Sequence, residues 1–230
     1  MNEVRRQRRT FMKQAVRFDR WKCGFIIGLL VMVGSAPAAK VDKIIKEMQK
    51  TYRSAQSIAI HFQRIDRFSL TGTQSEVRGT FYMAGRNKFR LDSEDQLLVN
   101  DGTTLWRYNK LDNQVLIDYA KTEEQQGLFN DFLYELHDKF FGEILEERTD
   151  QGKKTYVIKL VPKTSTDSYF TFIKLWVVDK SWRITRVVYV DYNENQTEFA
   201  IEKMEFNPTL PDSTFRFIPP EGVEVIDLRF

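Results

Sequence analysis

Val99-Asn100-Asp101-Gly102-Thr103-Thr104-Leu105-Trp106-Arg107-Tyr108-Asn109 sets an Asp-Gly pair between two runs that each favour a strand. Asp-Gly accepts the positive backbone angles of a tight hairpin, so it fixes the register of the strands on either side. Alternation then puts Thr104, Trp106 and Tyr108 on one face and Thr103, Leu105 and Arg107 on the other. The segment holds no catalytic residue, and its aromatic face needs an apolar environment.

Working outward, the same period of two recurs along most of the chain. Strands are predicted at 57–68, 76–84, 88–92, 96–100, 103–108, 114–119, 142–148, 154–161, 169–178, 182–192 and 196–206, separated by turn residues such as Thr71-Gly72-Thr73 and Asp112-Asn113. About eleven short strands in this order make an antiparallel meander, closed or half-closed on itself. The expected fold is mainly β with helices: a half-closed antiparallel barrel.

Two segments break the alternation. Val41, Ile44, Ile45, Met48 and Tyr52 recur at three- and four-residue spacing, which predicts an amphipathic helix over 41–53. Residues 121–141 carry Leu128, Phe129, Phe132, Leu133, Leu136, Phe140 and Phe141, a Phe-rich helical stripe inserted where it can cover an opening. Pro211 to Phe215 predict a short helical turn that leads into the extended Phe217-Ile218-Pro219-Pro220.

The amino-terminal part has a different composition. Residues 1–22 carry eight basic residues against two acids, 23–34 form an apolar run of about a dozen residues, and Ser35-Ala36-Pro37-Ala38-Ala39 follows. This order predicts an export signal over 1–38, too short to span a bilayer as a permanent helix, with cleavage near Ala38 and one domain over 39–230. Arg8-Arg9-Thr10-Phe11-Met12-Lys13 resembles a twin-arginine export motif, while Met12 would equally open an ordinary secretory signal.

The leader also accounts for the apparent basicity. The whole chain has 35 basic and 32 acidic residues, so removing eight and two leaves 27 against 30, a net charge of −3. Nucleic acid is therefore not expected as a partner. Cys23 is the single cysteine and precedes the cleavage site, so the exported chain has no disulfide, thiolate nucleophile or cysteine metal site.

Little remains for catalysis. His61 falls on a strand and His137 late in the insertion, without a G-x-S-x-G elbow or an H-E-x-x-H helix. Glu123-Glu124 and Glu146-Glu147 are adjacent pairs whose side chains do not converge on one point. No enzyme activity and no cofactor are expected. What the composition does supply is rings: 18 of 230 residues are Phe, enough to line a cavity between curled sheet and helices and to hold an apolar ligand.

The run G-T-F-Y-M-A-G-R-N-K-F-R-L-D (79–92), then Q-L-L-V-N-D-G-T-T-L-W-R-Y-N (96–109), N-Q-V-L-I-D-Y (113–119) and the ending F-R-F-I-P-P-E-G-V-E-V-I-D (215–227) resemble the periplasmic outer-membrane lipoprotein carrier family, LolA-like proteins. The resemblance implies an unclosed barrel with a helical lid over a hydrophobic cavity. That cavity would shelter the acyl chains of lipoproteins on their way from the inner to the outer membrane. It further implies a periplasmic, monomeric carrier with acylated lipoproteins as cargo, an inner-membrane release complex that loads it and an outer-membrane acceptor that unloads it.

In that family an arginine holds the lid closed, and the matching residue is Arg86 in R-N-K-F, although Asn87 stands where the family usually has proline and a rigid turn. Alternation and resemblance together nominate Phe62, Phe81, Met83, Phe89, Leu91, Leu98, Trp106, Tyr108, Phe129, Phe132 and Leu133 as cavity residues. A greasy concavity of this kind would also serve a periplasmic lipid-binding sensor or regulatory module, because fold does not fix function.

Overall fold

The computed structural model describes residues 37–85, 87–120, 136–150, 152–164 and 169–229. Among the described residues twelve strands form one sheet in the order β12-β6-β5-β4-β3-β2-β1-β11-β10-β9-β8-β7, so β7 and β12 are its edges and the barrel does not close.

Helix α1 (Pro37–Ser54) buries the expected stripe of Val41, Ile44, Ile45, Met48 and Tyr52 against one face of this sheet. Two contacts fix its position. At Gly142 a Cβ would stand 2.9 Å from Ile45 Cδ1 and 3.1 Å from Val41 Cγ2, so the missing side chain lets the helix sit close on the sheet. At the helix's far end the Tyr52 hydroxyl accepts from the Ile184 N–H (3.0 Å) and donates to Met204 Sδ (3.3 Å), while its ring meets Phe206 edge-on at 5.2 Å.

The meander follows the predicted runs within two residues at each end: β1 (Ser57–Arg67), β2 (Gln74–Ala84), β3 (Lys88–Ser93), β4 (Gln96–Asp101), β5 (Thr104–Asn109), β6 (Gln114–Tyr119), β7 (Phe140–Asp150), β8 (Lys153–Pro162), β9 (Phe170–Val178), β10 (Ile184–Asp191) and β11 (Gln196–Phe206). The Asp101-Gly102 turn forms as its chemistry requires. Gly102 has φ +96°, Asn100 Oδ1 accepts from the Gly102 N–H (2.7 Å), and Asp101 Oδ1 accepts from the N–H groups of Thr103 and Thr104 (2.8 Å each).

Two expectations change. Phe140 and Phe141 do not end a helical insertion: they pair with Pro162 and Val161 and open β7, after a single helical turn at Leu136–Lys139. The rest of that insertion, including Phe129, Phe132 and Leu133, lies outside the described residues. A twelfth strand, β12 (Glu224–Asp227), also forms and runs parallel to β6. It is reached through the predicted turn, a 3-10 helix at Asp212–Phe215, and the proline-rich stretch after it.

Candidate functional site

Residues directly opposite one another in an antiparallel pair share a face of the sheet. Ile60 lies opposite Phe81, Phe81 opposite Leu91, Met83 opposite Phe89, and Leu91 opposite Leu98. Together with Phe62, these residues occupy the face that carries α1. Phe62, Phe81, Met83 and Leu91 are buried in its core, and Phe89 and Leu98 pack half-buried against it.

Trp106 and Tyr108 leave the set at this point. Leu98 lies opposite Arg107, whereas Trp106 lies opposite Val99 and Ile117, and Tyr108 opposite Leu97 and Val115. They therefore belong to the reverse face, in a second small core of Leu97, Val99, Val115 and Ile117. The segment after β11 closes that core: Phe215 is buried, and Phe217 stacks on Tyr108 with centroids 5.9 Å apart. The placement of Trp106 and Tyr108 beside Phe62 is thus corrected, because the strand alternation was read rightly but its inward side was not.

The α1 face has two zones. Beneath the helix, Ile158, Leu160, Leu175 and Val177 are completely buried, leaving solid core. Beyond it a concave pocket of about 450 Å³ remains between β1, the start of β4, β9, β10 and β11. Its apolar floor is built of rings: Phe170 and Tyr189 lie 4.7 Å apart, Tyr189 and Phe199 6.1 Å, and Phe199 meets Phe62 at 5.4 Å. Burial pushes the Tyr189 hydroxyl pKa up, so this ring stays neutral.

Polar side chains near the ends of β1, β3 and β11, with Asp95 of the β3–β4 turn, form the mouth of the pocket. Arg64 donates to Asp66 (2.8 Å) and Asp95 (2.6 Å), Thr197 donates to Asp66 (2.8 Å), and Ser93 donates to Asp95 (2.6 Å). Burial pushes the Asp95 carboxyl up, but the Ser93 hydroxyl and the Arg64 guanidinium outweigh it and hold it below the ordinary aspartate range. Burial acts downward on Arg64, and the two carboxylates more than offset it. The mouth is therefore a fixed ionic cluster beside a greasy floor. Such a site can hold an amphiphile with its hydrocarbon inside and its polar end at the cluster; about 450 Å³ is within the usual range for ligand pockets of roughly 300–1,000 Å³.

Phe170, Tyr189 and Phe199 were not among the expected cavity residues. The signal was faint because β-bulges interrupt the alternation. Phe172 lies opposite Val190, yet Phe170 lies opposite Asp191, so one extra residue in β9 turns Phe170 inward while Phe172 stays outside.

The two histidines are not brought together. His61 lies on the outer face of β1 between Thr80 and Lys203, and His137 stands 4.0 Å from Asp42 of α1. Arg86 lies outside the described residues, between Gly85 and Asn87 of the β2–β3 turn.

A family profile described as outer membrane lipoprotein carrier protein LolA matches residues 53–218. Over 209 residues the chain is 27% identical to an uncharacterized protein of Methanocaldococcus jannaschii, covering 88% of this chain and 58% of that one, so it spans little more than half of that relative's length. Over 146 residues it is 30% identical to the outer-membrane lipoprotein carrier protein of Haemophilus influenzae, covering 62% of this chain and 67% of that one. Among solved structures, an uncharacterized conserved protein from Thermus thermophilus superposes with a TM-score of 0.54 at 13% identity, covering 82% of this chain and 99% of that chain, a likeness of fold alone.

Proposed function

We propose, from the fact that this chain belongs to the LolA family of outer membrane lipoprotein carriers, that it is an exported carrier of acylated lipoproteins. It would hold their acyl chains on the concave face and shuttle them through the periplasm from an inner-membrane release complex to an outer-membrane acceptor. The observation that carries this reading is the pocket floored by Phe170, Tyr189 and Phe199 and edged by Arg64, Asp66 and Asp95. Each methylene withdrawn from water there would contribute about 0.8 kcal/mol, so about ten would give about 8 kcal/mol before the costs of association. The costs of association subtract from that gross figure, so retention would be reversible, which suits a carrier that must let go. The cargo's protein portion would stay outside.

Phe62, Phe81, Met83, Phe89, Leu91 and Leu98 would form the wall behind this floor, moving apart from α1 to admit more chain. Arg86, by the family's pattern, would bias the empty form towards closure, because its fork of donors can reach several carbonyls at once. Residues 1–38 would be the export signal, removed before the carrier works, and the carrier would act as a monomer.

Mass spectrometry of lipid extracted from the protein recovered from the periplasm tests the reading: bound acyl chains are expected, and Phe199→Asp should remove them. A folded Phe199→Asp variant that retains as much lipid as the parent would overturn it. Depleting the protein should strand lipoproteins at the inner membrane, and Arg86→Leu should slow release of cargo without loss of fold.

A further inference from the structure

The alternating strand directions place particular turns at the same end of the sheet. The β1–β2 turn, the β5–β6 turn, the β10–β11 turn, the start of β7 and the start of β9 all lie at one end, since each follows or precedes a strand terminus paired there: Arg67 with Gln74 and Gln196, Asn109 with Gln114, Asp191 with Phe170, and Phe140 with Pro162. This end carries Leu70 at 97% exposure, Tyr169 at 85% and Leu111 at 82%, together with exposed Phe68, Phe141 and Tyr192. The β1–β2 and β10–β11 turns are tied to each other, with the Ser69 N–H donating to Asn195 Oδ1 (3.0 Å). The concave pocket opens at the same end, since Asp66, Asp95, Gln96, Phe170 and Thr197 are strand-end residues here.

Scattered single apolar side chains on a surface carry no meaning, but a set concentrated on the turns around one mouth does. Charge lies beside it. Lys159 and Lys174 face each other across β8 and β9 and both sit over the Phe172 ring, at 4.8 and 5.6 Å, and Lys163 sits 5.4 Å over Phe141. Among the described residues none of these three lysines has a carboxylate within ion-pair distance. Phe172 also lines a second hollow of about 520 Å³ together with Phe68 and Gly72, so the lysines adjoin the apolar turns. Leucine, tyrosine and phenylalanine at turn tips, beside lysines of which Lys159 has Glu143 opposite it across β7 and β8 but none is in an ion pair among the described residues, are the chemistry that enters a headgroup layer of negative charge.

We propose that this end of the sheet docks on the anionic surface of a lipid bilayer, with the turn tips in the headgroup layer and the pocket mouth facing the lipids. An amphiphile could then pass between bilayer and pocket without crossing water. Glu143 opposite Lys159, and Glu94, Asp112 and Glu194 in the turns of the same end, work against the lysines and keep the preference for anionic lipid moderate. The proposal goes beyond the carrier reading and needs only the position of the mouth.

Flotation of the full chain with vesicles of mixed phosphatidylglycerol and phosphatidylcholine tests it, beside vesicles of phosphatidylcholine alone. Binding to the mixed vesicles is expected to fall at least about tenfold in the Leu70→Ser, Tyr169→Ser, Tyr192→Ser triple variant. Lys159→Gln with Lys174→Gln should lower binding to the mixed vesicles about tenfold and leave binding to phosphatidylcholine unchanged. The amino-terminal apolar run is common to parent and variants, so the differences report the turn tips. Both variants should keep the parent's unfolding temperature and its uptake of a fluorescent fatty-acid analogue, which separates loss of docking from loss of the pocket. A parent that does not float, tip variants that float like the parent, or a dimer in solution that the tip substitutions dissolve would each overturn the proposal.

Discussion

The Phe62 ring lies on Gly79: a Cβ at residue 79 would come within 2.6 Å of Phe62 Cζ and 2.8 Å of the Asp92 carbonyl oxygen. Three neighbouring strands therefore meet at a point where no side chain fits, and this contact sets how far Phe62 can lean towards Phe199. Gly79→Ala should destabilise the protein by about 1–3 kcal/mol, the usual cost of overpacking. Adding Phe62→Leu should recover only part of that loss, because the Asp92 carbonyl cannot move aside like a ring. Urea unfolding of the single and double variants measures both; full recovery in the double variant would show that the ring was the sole obstacle.

Tyr108 stacks on Phe217 on the reverse face, so its substitution should alter stability and not ligand uptake. A double-mutant cycle of Tyr108→Ala and Phe217→Ala should give a coupling of about 0.5–1.5 kcal/mol, the value for an aromatic pair beyond its buried area. Uptake of an acyl probe by the folded Tyr108→Ala variant should match the parent. Weakened uptake would return Tyr108 to the cavity side.

Periodicity alone located α1 and eleven strands, because a stripe such as Ile44, Ile45 and Met48 or an alternation such as Ile58, Ile60 and Phe62 is a local property. The face each strand presents is also local until a bulge intervenes. In β11 the inward residues are Phe199, Ile201, Met204 and Phe206, spaced two, three and two, since the register shifts where β11 passes Phe62. In β10 they are Ile184, Val187 and Tyr189, again with a step of three. No strand sequence announces such a step, and so the ring floor of the pocket was not legible. Nor was β12: its partner β6 lies more than a hundred residues earlier, and four residues carry too short an alternation to stand out. The covering of Tyr108 was not legible for the same reason, since Phe217, which stacks on it, arrives after the last long strand.

Tyr52 joins the last turn of α1 to β10 and β11 by a hydroxyl that accepts from Ile184 and donates to Met204. Burial raises its pKa well above the ordinary tyrosine value, so it remains a neutral hydroxyl throughout the accessible pH range. Tyr52→Phe keeps the ring against Phe206 and leaves the Ile184 N–H without its acceptor. The expected loss is about 1–3 kcal/mol, the cost of a buried donor left unmade. Hydrogen exchange at Ile184 should quicken more than at Leu175 in the sheet interior; equal protection at both amides would mean that water replaces the hydroxyl.

The ionic mouth makes stability fall in acid. Asp95 is held below the ordinary aspartate pKa because Ser93 and Arg64 outweigh burial, and Glu198, on the outer face, is likewise held low by Arg186 and Arg67 against its burial. A carboxyl with a depressed folded pKa binds its proton more readily in the unfolded chain. Its stabilisation is complete above the ordinary value of about 4 and is lost as the pH falls through the lower folded value. Urea midpoints should therefore be flat from neutrality to about pH 5 and then decline. Asp95→Asn removes one of the responsible groups, so its midpoint should be lower at pH 7 and should fall less steeply below about pH 4. Parallel curves for parent and variant would assign the acid sensitivity to carboxylates away from the pocket mouth.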